Sequence, residues 1–294
     1  MVSGIKKRTR RCDWDQRSFV ESPGFRHSLL NPMDHSPLTT HDSPRLIAVD
    51  VGNSRVKWGL FILGRPALVA SLPLADEDSW DRQLEKWTPG AAVNWAVSSV
   101  NPDGSEPLVA WIRTRDFPSP LVLDDPSLLP LRVELDRPEA VGIDRLLNAV
   151  AVNDRRPPGT PAVIVDAGSA ITVDAVSADG AFVGGTIAIG LGLAARALHE
   201  FTYWLPLLTV SAPPPAIGKS TPEAMQSGLY WGAVGAVKEL VARVAASLPG
   251  QPVVYLTGGD GELLATHLDR PVERAPELTL HGIHLAYQYV RSRR

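Results

Sequence analysis

Two stretches decide the reading of this chain: "AVDVGNSRVKWG" (residues 48–59) and "IVDAGSAITVDA" (residues 164–175). Each is an apolar run ending in Asp, then one residue, Gly, a small polar residue and a second apolar-rich run. That pattern predicts strand, tight turn and strand in both places. A glycine at the apex leaves backbone N–H groups uncovered, and such a concavity suits phosphate oxygens. An aspartate at the end of the preceding strand is placed to hold a hydrated cation against them. Asn53 and Ser169 add a side-chain hydrogen bond after the glycine. One Asp-x-Gly turn is a common hairpin. Two, each opening one half of the chain, imply a duplication whose halves face each other across a polyphosphate. A third glycine turn, "LTGGDG" (residues 256–261), follows a further apolar run and suits close approach of a flat base and ribose.

The bulk properties bound the classes that remain. With 294 residues, 44% hydrophobic and 21% charged, the chain is that of a soluble globular protein with ample core. A formal charge of −3 argues against a general nucleic-acid binder. The single cysteine, Cys12, forms no intrachain disulfide and fits a reducing compartment. No run approaches the ~20 apolar residues of a membrane span. Residues 1–44 carry a basic cluster (Lys6, Lys7, Arg8, Arg10, Arg11) and no apolar period, so they are expected to be a disordered extension.

Strands are expected at "LIAV", "RVKWGLF" and "AVNWAVSSV" in the first half. "GIDRLLNAVAVN" has helical spacing, with Ile143, Leu146, Leu147 and Val150 on one face. The breaker cluster "RRPPGTP" marks the boundary between lobes at 45–156 and 157–294. "AVIVDAGSAITVDAVSADGAFVGGTIAI" reads as three strands joined by two tight turns. Helices are expected at "LAARALHEF", from Pro222 to about Leu248, and at "LTLHGIHLAYQYV", with "APPPAIGKSTP" an irregular loop. Tyr230 and Trp231 point about 100° apart on their helix. They are therefore not expected to share one lobe's core, and Gly228, Gly232 and Gly235 permit close approach of a partner helix.

Several look-alikes are set aside. "AIGKST" lacks the first glycine of a Walker loop, because position 213 is proline. "GLGLAA" has no acidic residue where a dinucleotide ribose would need one. His281 and His284 have no third ligand nearby in sequence, and no Gly-x-Ser-x-Gly elbow occurs.

The ordered set "DVGNSRVKWGL", "SSVNP", "RPEAVGIDRLLNAVAV", "VDAGSAITVD", "GAFVGGTIAIGL", "WLP", "IGKSTPEAMQSGLYWG", "TGG" and "LTLHGIHLAY" resembles type III pantothenate kinases, within the actin, sugar kinase and Hsp70 superfamily. The resemblance spans roughly residues 46–290. It implies an α/β fold of two duplicated actin-like (ribonuclease H-like) lobes with a nucleotide cleft between them. It also implies ATP-dependent phosphorylation of pantothenate, the first step of coenzyme A synthesis, by a cytoplasmic homodimer with no membrane or nucleic-acid partner. By position, Asp50, Val51, Gly52, Asn53, Ser54, Arg55, Val56 and Lys57 would form the ATP loop, with Asp50 near Mg²⁺ and Ser169 also on ATP. Gly142, Ile143, Asp144 and Arg145 would hold pantothenate, with Asp144 as proton acceptor. Asp166 would bind a monovalent cation (K⁺ or NH₄⁺), and Thr221 would reach the acceptor across the dimer interface. Departures from the family pattern are Ile189 for proline, Ser169 for threonine, and the bulky pair Tyr203-Trp204. The alternatives are a non-catalytic regulatory relative and a kinase for another small alcohol.

Overall fold

The computed structural model describes residues 45–88 and 92–293; the basic segment 1–44 lies outside the described residues. The first half opens on a meander, β1 (Arg45–Val51), β2 (Val56–Ile62) and β3 (Arg65–Leu72), followed by α1 (Glu77–Trp87), β4 (Asn94–Ser99), α2 (Pro102–Arg113), β5 (Leu121–Leu123) and α3 (Ile143–Arg155). The second half repeats that order with one helix added. It runs β6 (Ala162–Ala167), β7 (Ala170–Val176), β8 (Phe182–Ile189), α4 (Leu191–Phe201), α5 (Thr221–Ala246), β9 (Val253–Thr257), α6 (Gly261–Ala265), β10 (Glu273–Arg274) and α7 (Leu278–Ser292). The sheets run β3-β2-β1-β4-β5 and β8-β7-β6-β9-β10. In each, the first strand pairs antiparallel with the second and parallel with the fourth. The duplication expected from the two quoted stretches is thus a duplication of sheet topology.

Alternation along the strands then decides what faces where. Ile47, Val49 and Val51 of β1 enter a core with five tryptophans, Trp58, Trp80, Trp87, Trp95 and Trp111. Leu46 and Ala48 face the opposite side and pack with α3 and α7. In β6, Val163, Val165 and Ala167 face α5, while Ala162 and Ile164 face the α3–α7 layer. Asp50 and Asp166 fall on the even positions, so both point into the layer between the sheets. Each is the polar end of a run that is otherwise core.

Three features lack a clear sequence signal. Strand β3 is an exposed edge with proline at its second position. Helix α2 contains Gly104 and Pro107. Tyr230 and Trp231, expected to diverge, both pack inward. Tyr230 is fully buried, and Trp231 is half-buried with its indole N–H donating to the Pro214 carbonyl at 3.2 Å. The irregular loop before α5 covers that side, a cover the helical period does not reveal. Among the described residues, no helix is long and apolar enough to cross a membrane.

The α3–α7 contact is the tightest junction of the central layer. A Cβ at Gly282 would lie 2.0 Å from the Leu147 carbonyl oxygen. Gly282→Ala is therefore expected to cost at least about 1–3 kcal/mol of stability, because backbone must move to admit it. Chemical denaturation measures this; an unchanged midpoint would mean that the helices separate freely.

Candidate active site

The first turn closes through a hydrogen bond from the Gly52 N–H to the Arg55 carbonyl at 3.1 Å. The second closes from the Gly168 N–H to the Ala170 carbonyl at 3.0 Å. Asn53, Ser54, Arg55 and Ser169 are exposed at the two apices. The Ser54 and Ser169 hydroxyls lie 3.4 Å apart, although 115 residues separate them in the chain. The two turns therefore confront each other, as the duplication predicts. Val51 and Val56 are buried in the tryptophan core and lie in the sheet, paired with each other and with Ser99 and Leu72, so both are scaffold for the turn between them.

Glycine is required around the second turn for reasons of space. A Cβ at Gly190 would lie 2.1 Å from the Gly168 carbonyl oxygen, and the Gly190 N–H donates to the Ser169 carbonyl at 3.1 Å. The Ile189-Gly190 step thus keeps the close contact even though the proline expected before the glycine is absent. Gly258 has φ +91°, and a Cβ there would lie 2.4 Å from the Ala167 carbonyl oxygen. All three glycine turns named from the sequence therefore meet at the end of β6.

Helix α3 brings residues 142–145 to the same place. Gly142 is its N-cap, and Asp144 and Arg145 stand in the first turn. The Ile143 side chain is in the core, which leaves its backbone for a ligand. Asp144 Oδ1 accepts from the Arg145 N–H at 2.8 Å. One turn on, buried Asn148 donates to Asp166 Oδ2 at 3.0 Å and accepts from the Thr279 hydroxyl at 2.9 Å. Arg145 is not free: its guanidinium is paired with Asp174 of β7. Thr221 is exposed at the start of α5, where Ser220 and Glu223 cap the helix. Among the described residues no hydrogen bond links Thr221 to Asp144 or Arg145.

Sequence reasoning missed Asp174, Asn148, Thr172 and Thr279. Asp174 carried a signal, since it interrupts an apolar strand within the quoted repeat and alternates with Thr172. Asn148 carried another, because it lies at i+4 from Asp144 on the same helical face.

Burial sets the electrostatics. It pushes Asp50 up to about 7, with the charges of Asp144 and Asp166 adding to the rise and Lys57 opposing it. Asp50 and Lys57 are directly opposed in the β1–β2 register. Burial likewise pushes Asp166 up to about 6, against Lys57 and the Asn148 hydrogen bond. Asp144 and Asp174 are also raised, in both cases chiefly by burial. Four aspartates thus face Lys57 and Arg145, so carboxylates outnumber cationic side chains. Among the described residues the Asp50 carboxylate receives no hydrogen bond, and only Oδ2 of Asp166 receives one. Both are suited to a cation. No group of three or more His, Cys, Asp or Glu among the described residues is arranged to hold a metal ion by itself. A divalent ion here would be completed by phosphate oxygens and water.

Two sheets of one repeated topology, with facing glycine turns and an acidic layer between, define a duplicated α/β fold of the actin-like kind. Among solved structures, the activator of the 2-hydroxyisocaproyl-CoA dehydratase from Clostridium difficile with bound ADPNP matches with TM-score 0.50 at 12% identity, covering 85% of this chain and 96% of that one. The ethanolamine utilization protein EutJ from Carboxydothermus hydrogenoformans matches with TM-score 0.50 at 14% identity, covering 82% and 89%. At these identities the likeness shows the fold alone. The family model described as type III pantothenate kinase matches residues 46–243. A type III pantothenate kinase of Rhodospirillum centenum is 38% identical over 257 residues, covering 83% of this chain and 98% of the relative. One of Moorella thermoacetica is 32% identical over 252 residues, with the same coverage of 83% and 98%. One of Acidiphilium cryptum is 42% identical over 153 residues, 52% of this chain and 57% of the relative. The chain belongs to the type III pantothenate kinase family.

The raised Asp50 makes a pH prediction for the protein free of nucleotide and metal. Unfolded, Asp50 releases its proton near its ordinary 3.8; folded, it keeps it to about 7. The folded state therefore binds the proton more tightly, and stability falls as pH rises from about 4 to about 7. Asp50→Asn removes that loss. Its melting temperature should exceed the parent's by a margin that widens from pH 5 to 7 and is flat above. Thermal melts in chelator check this, and a margin that shrinks with pH would contradict it.

Proposed function

We propose that this protein transfers the γ-phosphoryl group of ATP to the primary hydroxyl of pantothenate. The observation that carries this reading is the position of Asp144. It stands in the first turn of α3, close enough to raise both Asp50 and Asp166, beside two facing phosphate-type turns. Backbone N–H groups at the apices, those of Asn53, Ser54 and Arg55 in one turn and of Ser169 in the other, hold the phosphates, with the Ser54 and Ser169 hydroxyls on either side. Gly142, the Ile143 backbone, Asp144 and Arg145 hold the acceptor.

Phosphoryl transfer to an alcohol needs alignment and charge neutralisation more than covalent chemistry. Asp144 orients the hydroxyl and takes its proton as the bond to phosphorus forms. Its burial-raised pKa suits that task better than an ordinary carboxylate would. Asp50 is the residue to hold Mg²⁺, and Asp166 a monovalent cation (K⁺ or NH₄⁺). Bound there, the ions neutralise phosphate charge. Cytoplasmic location is part of the same proposal, consistent with a single cysteine in the chain.

The test is an assay of ATP-dependent phosphorylation with pantothenate against a panel of small alcohols. Pantothenate should be preferred. Asp144→Asn, which keeps size and removes the acceptor charge, should lower turnover about 10²–10⁴-fold with ATP affinity little changed. Near-parental turnover would remove Asp144 from the mechanism. In the same assay, replacing K⁺ by a large organic cation at constant ionic strength should lower the rate; equal rates would remove the Asp166 cation.

A homodimer that completes the acceptor site with Thr221 also belongs to this proposal. Phe201, Tyr203, Trp204 and Ile217 are 85%, 87%, 84% and 81% exposed, on and after α4 and just before Thr221. A Cβ at Gly228, Gly232 or Gly235 of α5 would meet nothing within 4 Å. Such exposed apolar surface marks an interaction site. Sedimentation should give a dimer. Mixing Asp144→Asn with Thr221→Ala subunits under exchange should restore activity, since some mixed dimers hold one intact site. A monomer, or no recovery despite exchange, would sink the shared site.

A further inference from the structure

Asp174 has no place in the reading above, yet the structure spends more on it than on any other carboxylate. It sits inside β7 with its side chain 0% exposed. Alternation turns it, with Thr172 and Val176, away from the α5 core and toward the α3–α7 layer. Its register partner on β8 is Gly185, where a Cβ would lie 2.3 Å from Asp174 Oδ1. The glycine is the room the carboxylate occupies. A buried carboxylate of this kind is costly unless paired and hydrogen-bonded. The Thr172 hydroxyl donates to Oδ2 at 3.1 Å. Arg145 Nε lies 3.0 Å from Oδ1 and 3.2 Å from Oδ2, and Arg145 Nη2 also donates to Oδ1.

The other end of that pair decides its meaning. Arg145 directly follows Asp144 and is only 14% exposed. An arginine on a helix has several rotatable bonds and no fixed direction, whereas a two-point grip on one edge of the guanidinium fixes its plane. The Phe182 ring lies 5.6 Å from Arg145 Cζ and adds an apolar wall. Asp174 holds Nε and Nη2, and among the described residues no acceptor holds Nη1.

We propose that Asp174 is a positioning residue of the acceptor site. It grips one edge of the Arg145 guanidinium so that the unpaired edge is presented to the acceptor alcohol beside Asp144, with Thr172 and Gly185 serving to hold Asp174. The proposal rests on the kinase reading and deepens it, since it names what orients the acceptor's arginine.

The test uses the full chain in steady-state kinetics with Mg-ATP and pantothenate. Asp174→Asn should raise KM for pantothenate about ten-fold or more, the scale of a hydrogen bond to a charged group. KM for ATP should stay within about two-fold. Arg145→Gln should do the same, and the double variant should be no worse than Arg145→Gln alone, because Asp174 acts only through Arg145. Losses that multiply in the double variant would overturn the proposal. So would a folded Asp174→Asn protein with parental KM, or KM values for both substrates rising together with a fall in melting temperature. Should Asp174→Asn fail to fold, Thr172→Val decides, because it removes the hydroxyl without stranding a charge. A rise of about two- to five-fold in KM for pantothenate alone supports the proposal, and no change overturns it. A parent protein that turns over no pantothenate defeats the kinase reading itself. An active parent with insensitive variants defeats the positioning role alone.

Discussion

The site depends on how helix α3 is tied to the second sheet. Arg145 is bound to Asp174 of β7, and Asn148 donates to Asp166 of β6 at 3.0 Å. Asp144, Arg145 and Asn148 lie on neighbouring positions of one helical face, so the two ties fix both the rotation and the depth of the helix. Without them, residues 142–145 would open an ordinary amphipathic helix with an acidic first turn. With them, Asp144 is carried to the place where the two phosphate-type turns face each other. Helix α7 pins the other flank, where Gly282 meets the Leu147 carbonyl and Thr279 completes the hydrogen bonds of Asn148.

Charge follows from that geometry. Four aspartates share a layer with Lys57 and Arg145, and Arg145 is committed to Asp174. Lys57 alone then opposes Asp50 and Asp166, both of which burial raises well above the ordinary carboxylate range. Carboxylates buried without full compensation hold their protons to higher pH than exposed ones do. The rest of the fold makes this tolerable. One face of the first sheet is backed by the tryptophan core, and one face of the second by α5, so the acidic layer is confined between rigid walls.

Much of this was legible along the chain. Each quoted stretch shows a period-two strand, a glycine turn and a second strand, which local sterics and burial dictate within about ten residues. Finding the pattern twice revealed the duplicated topology. The 3.6 period of "GIDRLLNAVAVN" placed α3 and its first-turn Asp144 and Arg145. Strand β3 and helix α2 were harder, because an exposed edge has no buried face to impose alternation and Gly104 and Pro107 oppose helix propensity.

Sequence by itself determined the two strand–turn–strand units, helices α3, α4, α5 and α7 and the residues at the turn apices, because those follow from interactions between near neighbours. Only tertiary structure decided which residues meet. Asp174 pairs with Arg145 from 29 residues away, Asn148 reaches Asp166 across 18, and Thr279 reaches Asn148 across 131. The inward packing of both Tyr230 and Trp231 likewise depends on where the loop before α5 lies. Such contacts depend on strand register and on which helix crosses between the sheets, and both are set by burial of the whole core rather than by any local pattern.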